Sequence, residues 1–316
     1  MDYFLPPVEI DPPDLSAYRD GNQGVSYVWS YQAAAPGPHV VLNALMHGNE
    51  ICGAIALDHL LRRELRPARG RLTFVFCNVA AFQSFDRSDP TASRYLDEDM
   101  NRVWHESVLN GPRISRELAR ARALRPFFDS ADLLLDIHSM VHASTPLMLT
   151  GMADKHLAFA RRIGMPGLLV RDEGHTAGRR LRDYGRFGDP ETPAIALLIE
   201  CGHHWARGTA ETAIEAAWRF LAVAEILAEG DAVPWRARPA APQRTILITH
   251  RVTVGSDNFH FLGDYGGVEV IPRAGTVIAR DGKTEIRTPY DDCVLIMPTR
   301  RISRGQTAVR LGRFEH

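Results

Sequence analysis

The sequence predicts an α/β protein: a mostly parallel sheet with helices on both faces, followed by a small C-terminal all-β domain. Three observations carry this. Short apolar runs alternate with stretches of helical periodicity up to about residue 230. Pro234, Pro239 and Pro242 then punctuate residues 232–243, which read as a linker. Beyond it, short strand-like runs follow one another between Gly and Pro, with no helical stretch. The expected division is 1–240 for the larger domain and 241–316 for the smaller one.

Residues 25–32 are rich in aromatic and β-branched types and read as extended chain. Residues 39–46 form a short apolar run of the kind a buried strand shows. Gly48 interrupts it. Ile51, Ala54, Ile55, Leu57, Leu61 and Leu65 then recur at helical spacing, and Pro67 and Gly70 end that helix. Residues 71–77 read as the next strand, 83–113 as a polar loop, 118–128 as a helix and 132–138 as a third buried strand. A helix over 155–163, strands over 167–170 and 194–199, and a long amphipathic helix over 209–227 continue the alternation. The tail holds strand-like runs at 245–254, 268–271, 276–279 and 294–297.

Composition narrows the function. A chain of 316 residues buries roughly three quarters of its unfolded surface, so it needs no structural metal or disulfide to hold together. Any metal is then expected to serve chemistry. The 37 basic and 38 acidic residues nearly cancel, which argues against a nucleic-acid partner. Cys52, Cys77, Cys201 and Cys293 form no CxxC pair, so neither a thiolate zinc module nor a disulfide framework is expected. The start lacks a basic segment followed by an apolar run, and no apolar stretch reaches about 18 residues. A cytoplasmic protein without a membrane partner is the expectation. Homo-oligomerisation stays open.

The most informative residues are His47-Gly-Asn-Glu50, where the second strand gives way to its helix. Ligands bind at the carboxyl ends of strands in such sheets. An imidazole nitrogen and a carboxylate oxygen both suit zinc, and a catalytic zinc takes three protein ligands and keeps one position open. His138, closing the strand before it, offers a third ligand at the same edge, and Asp136 two residues earlier could orient it. The plainer account is a solvated helix start at Glu50, favoured by the helix dipole, and a hydrogen-bonded strand-end histidine at 138. Glu200 ends another apolar strand and could accept a proton from an attacking water and return it to a leaving amine. A strand-end Glu paired with an arginine is the alternative. In the loop 93–102, an Arg beside an Asn could hold a carboxylate by bidentate bonds, and a second arginine could stabilise an oxyanion. By composition alone, a surface loop whose charges pair among themselves, Arg94 with Asp97 for example, is the better account. His175 and His142 could line a loop over the site, and the roles of His203 and His204 stay open.

With these residues in place, the sequence resembles the succinylglutamate desuccinylase/aspartoacylase family, relatives of the zinc carboxypeptidases. Four motifs carry the resemblance in order: His47-Gly-Asn-Glu50, Arg94-Tyr-x4-Asp-Met-Asn101-Arg102, Asp136-Ile-His138 and Ile199-Glu200-x-Gly202. The resemblance implies one Zn(2+) per chain, held by His47, Glu50 and His138. It implies Glu200 as general base and acid, Arg94 as the residue polarising the carbonyl, and Asn101 with Arg102 as the clamp on a substrate carboxylate. It also implies a small β-rich domain capping the site. The activity implied is hydrolysis of a small N-acyl amino acid to the free amino acid and a carboxylate. Where aspartoacylases follow the catalytic Glu-x-Gly with Pro-Gln, this chain has His203-His204-Trp205. The family's further substrate-reading arginine is expected among residues 179–186, with Arg186 the choice, and Tyr290 is expected to reach the pocket from the tail. A carboxypeptidase-like zinc peptidase, a deacetylase of a compatible-solute or diamino-acid pathway, and a non-catalytic metal- or carboxylate-binding module are the alternatives.

Overall fold

The structure, a computed structural model, describes residues 7–141, 143–175, 177–299 and 302–315. The chain runs β1 (Val28–Gln32), β2 (His39–Ala44), α1 (Ile51–Arg62), β3 (Arg71–Phe76) and α2 (Val79–Phe82). It continues through α3 (Glu106–Leu109), α4 (Arg116–Asp129), β4 (Leu133–Met140), β5 (Leu147–Leu149), α5 (Asp154–Ile163) and β6 (Leu168–Arg171). β7 (Ile195–His203), α6 (Arg207–Val223) and α7 (Glu229–Arg236) follow. The tail holds β8 (Arg244–Thr253), β9 (Phe259–Phe261), β10 (Val268–Ile271) and β11 (Val277–Asp281). It ends with β12 (Thr284–Arg287), β13 (Cys293–Ile296) and β14 (Thr307–Phe314). The architecture is mixed α/β, with one large sheet built on a parallel core and one small antiparallel sheet.

Eleven strands pair in the order β1-β3-β2-β4-β7-β5-β6-β8-β14-β13-β10. The run β3-β2-β4-β7 is parallel throughout. Its strands are apolar because side chains on both faces are covered. All eight residues of β4 are buried. Alternation then divides the core. Val40, Leu42 and Ala44 pack with Leu57 and Leu60 of α1 and Phe220 of α6. Val41 and Leu134 pack instead with Leu118, Leu124 and Phe128 of α4. Because β2, β4 and β7 run the same way, their carboxyl ends share one edge. The turns that leave them are gathered there.

The tail departs from the expected picture in its connections. β8 pairs in parallel with β6, so β8, β14, β13 and β10 extend the large sheet. Only β9, β11 and β12 form a sheet of their own. The expected linker also begins inside α7, which includes Pro234. A proline inside a helix is costly. Here Trp235 stacks on Trp218 of α6, with centroids 5.5 Å apart and planes 7° apart, and that packing decides the local structure against propensity. Of the described residues, no helix is long and apolar enough to cross a membrane.

Candidate active site

Three turns meet at the carboxyl edge of the parallel run. The first leaves β2. Leu45 there takes a φ of 60°, uncommon for a branched side chain, and remains fully buried. Gly48 sits so close to α2 and the next loop that a Cβ would lie 2.4 Å from Ser93 O. Only glycine lets this turn dock, and its N–H donates to Arg94 O at 3.0 Å. Glu50 precedes α1 but makes no side-chain cap of that helix. Its carboxylate turns instead into the protein, where it is 2 % exposed.

That carboxylate joins the two histidines. Glu50 Oε1 lies 2.7 Å from His47 Nδ1, and Glu50 Oε2 lies 2.9 Å from His138 Nδ1. The rings stand 5.3 Å apart at 70°. The other nitrogens face carboxylates: His47 Nε2 is 2.9 Å from Asp99 Oδ1, and His138 Nε2 is 2.9 Å from Asp136 Oδ2. Asp136 is fixed in turn by Asn43, whose amide donates to Oδ1 at 2.7 Å. Each imidazole thus turns Nδ1 to Glu50 and Nε2 to an aspartate, by a hydrogen bond at His47 and by an ion-pair contact without hydrogen-bond geometry at His138. A carboxylate behind the ring is the usual setting of a metal-ligating histidine. One ligand atom from each of His47, Glu50 and His138 lies within 4.8 Å of the others. Burial favours a neutral Glu50, but the two imidazoles outweigh it and hold its pKa well below the carboxylate range. This N/O/N set, with an ionised carboxylate between two oriented imidazoles, fits a divalent ion such as zinc.

Glu200 completes the edge. It is the register partner of His138 across β4 and β7. Its Oε2 is buried without a hydrogen-bond partner. Burial, reinforced by the charge of Glu50, pushes its pKa well above the ordinary value. Directly after it, β7 bulges: Met140 faces His203 where strict pairing would place Gly202. Gly202 takes a φ of 122° there.

The loop holding Arg94 folds over the cluster. Arg94 Nη1 donates to Glu50 Oε1 at 3.3 Å, and Nη2 donates to Asp99 Oδ2 at 3.2 Å. Asp99 caps the short turn carrying Asn101, whose N–H donates to Asp99 Oδ1. Burial would raise Asp99, but His47, Arg102 and Arg94 hold its pKa well below the usual range. Asn101 Oδ1 accepts from Leu181 N at 2.9 Å, which ties this loop to the segment 179–186. Arg102 lies between the cluster and the segment 179–186: its Nη2 is 4.0 Å from Asp99 Oδ2 and donates to His175 Nε2 at 3.2 Å.

The structure does not bring Arg186 to this place. Its side chain is 42 % exposed and pairs with Asp132, which precedes β4 at the strand end opposite His138. Spacing alone could not separate it from Arg180, which is 1 % exposed and pairs with Asp172 at 2.8 Å. Tyr290 likewise stays within the tail. Its hydroxyl is 2.6 Å from Thr249 Oγ1, and its ring packs against a tail cluster that includes Ile271 and Cys293. His142 lies outside the described residues.

Arg310 of β14 is a residue that sequence reasoning missed. It is 4 % exposed, lies 3.1 Å from Asp172 with its Nε, and reaches His175 with its Nη2. Arg102 and Arg310 therefore converge on one imidazole. Burial, then the charges of Arg310 and Arg102, press His175 well below its usual pKa and keep it neutral. Two guanidinium groups thus meet at a neutral imidazole, Arg102 also facing Asp99 and Arg310 also facing Asp172, and paired forks of this kind suit a carboxylate. A lone arginine in a strand carries no pattern that announces this.

Comparison with known proteins gives the geometry a family setting. The model of the family described as "Succinylglutamate desuccinylase/Aspartoacylase catalytic domain" matches residues 36–222. The chain is 22% identical over 303 residues to a succinylglutamate desuccinylase of Shewanella sp. (strain MR-7), covering 88% of this chain and 83% of that one. A succinylglutamate desuccinylase of Pseudomonas syringae pv. tomato is 31% identical over 132 residues, 39% of this chain and 37% of its own length. In fold, the crystal structure of a succinylglutamate desuccinylase from Vibrio parahaemolyticus superposes with a TM-score of 0.71 at 15% identity, covering 92% of this chain and 86% of that chain.

Proposed function

Because the chain belongs to the succinylglutamate desuccinylase/aspartoacylase family, we propose that it is an amidohydrolase cleaving the acyl amide of a small N-acyl amino acid. The products are a free amino acid and a carboxylate. The single observation that carries this reading is the convergence of His47, Glu50 and His138 with Glu200 in register beside them. In it, His47, Glu50 and His138 hold one zinc ion per chain. When bound, such an ion polarises the acyl carbonyl as a Lewis acid and makes water more acidic.

The remaining work falls to the protein's own groups. Glu200 takes a proton from the attacking water and passes it to the amide nitrogen as the C–N bond breaks. Its raised pKa matches a group that must hold that proton between the two steps. Arg94, already paired with Glu50 and Asp99, offers its guanidinium to the oxygen that gains charge. Asn101 and Arg102 grip the substrate carboxylate, and Arg310 adds a second fork beside Arg102 in place of the expected Arg186 and Tyr290.

The same reading divides the chain into a zinc carboxypeptidase-like catalytic part, 1–240, with helices on both faces of its sheet, and a β-rich part, 241–316, that caps the site. Arg310, reaching from β14 to His175, is what supports the capping role. A cytoplasmic setting suits the four free, buried cysteines.

The test combines a metal assay with amine release from acetyl-, succinyl- and formyl-amino acids. Glu200→Ala is expected to keep about one zinc per chain and lose about 100-fold or more in kcat. Full turnover in that variant removes Glu200 from the chemistry. Loss of zinc together with activity makes it a ligand instead.

A further inference from the structure

The segment that follows Glu200 does more than end a strand. After the bulge at Gly202, the chain turns back across the end of β4, and His204 N donates to Met140 O at 2.8 Å. The His204 ring then reaches the residue after His138: its Nδ1 lies 2.8 Å from Ser139 Oγ. The backbone N–H of that same Ser139 donates to Glu50 Oε2 at 3.2 Å. The next residue, Trp205, sends its indole N–H to Asn49 O at 3.2 Å, one residue before Glu50. His204 and Ser139 are 2 % and 3 % exposed, and Trp205 is fully buried. Thr209 Oγ1 closes the turn by donating to His203 O at 2.7 Å.

Two hydrogen-bonded paths therefore run from one short segment to both sides of Glu50. One reaches its carboxylate through Ser139, and the other reaches the main chain leading into it. We propose that His204, Ser139 and Trp205 are positioning residues that hold Glu50 in the orientation needed to bind a divalent ion. The proposal rests on the reading of His47, Glu50 and His138 as metal ligands. Burial drives the His204 pKa down to about 3, so the ring is neutral and has one N–H to give. A small shift of Glu50 matters because a ligand carboxylate and its supports act as one unit.

Zinc affinity measures the brace directly, by chelator competition on the full chain with the metal-free fold checked by circular dichroism. His204→Ala is expected to weaken zinc by about 10- to 100-fold, the usual cost of losing such support. His204→Asn places its amide nitrogen near the former Nδ1 and is expected to stay within about threefold of the parent, whereas His204→Gln places it further out and falls with the alanine variant. If His204→Ala does not fold, the Asn and Gln pair decides. Equal affinities in those two, or an alanine variant binding zinc as tightly as the parent, overturn the brace. A parent chain that takes up no zinc, or a His138→Ala variant that binds it unchanged, overturns the ligand reading itself.

Discussion

Glu50 is where most contacts of the cluster meet: two imidazoles, a guanidinium and a backbone N–H share its two oxygens. At the scale of single residues, what separates a working group from a bystander is burial with the right neighbours. Arg102 and Arg186 make the contrast. Arg102 is driven by burial to about 10, below the ordinary guanidinium value, in a place where an anion would relieve it. Arg186 is half in solvent and pairs with Asp132. Arg102→Ala is expected to raise KM for an N-acyl amino acid by about 10- to 100-fold, the loss of a charge-assisted hydrogen bond. Arg186→Ala is expected to leave kcat/KM within about twofold, because exposed pairs contribute little. Steady-state kinetics of the two variants check both. His47 and Glu50 were legible in the turn from β2 into α1, and His138 and Glu200 near the carboxyl ends of β4 and β7. Asp99 was not, since nothing in its loop says that it faces His47.

At the scale of elements, the site depends on how strands stop. Gly202 is the clearest case: a Cβ there would lie 2.9 Å from Thr209 Oγ1, and its φ of 122° disfavours any other residue. Gly202→Ala is expected to cost about 1–3 kcal/mol and to lower Tm by several degrees. Since the bulge also aims Glu200 and His204, zinc affinity is expected to fall with it. Thermal melting and metal content measured on the same variant test this, and an unchanged melt with full zinc rejects it. β14 matters for a different reason, because it carries Arg310 from the tail to His175. Arg310→Met is expected to raise KM by about tenfold or more with a smaller effect on kcat, which stopped-assay kinetics resolve. The sequence yields the long alternating elements well. β5, β9, β12 and β14 escaped it: the first three have 3, 3 and 4 residues, and β14 is interrupted by Arg310, Gly312 and Arg313. α7 escaped because stacking of Trp235 on Trp218 outweighs Pro234.

At the scale of the whole molecule, buried histidines away from the cluster set the response to acid. His39 is lowered by burial, and by Arg71, from the usual 6.5 to about 4. His156 is lowered by burial, and by Arg182, to about 3. Each binds fewer protons folded than unfolded once pH drops below 6.5, so stability falls with pH from there towards the folded values. Each contributes at most about 1.4 kcal/mol per pH unit in that window. Urea midpoints are expected to drop between pH 6.5 and pH 4, and to drop less steeply in His39→Gln with His156→Gln. A parallel slope in the double variant excludes these two as the cause.

The sequence by itself determined the class of fold, most of the long elements and the local pair His47 and Glu50. Period, apolar run and strand end are short-range signals that a single chain displays. It also supplied His138 and Glu200, since parallel strands of similar make-up end at one edge. Only the tertiary structure decided which distant charges meet. His47 and Asp99 are 52 positions apart, and Arg310 and His175 are 135 apart. No spacing encodes such contacts, because they follow from the register of the sheet and the path of loops. Those depend on packing the whole core at once, and only the packed core shows that Arg180 and Arg310 are buried while Arg186 lies in solvent.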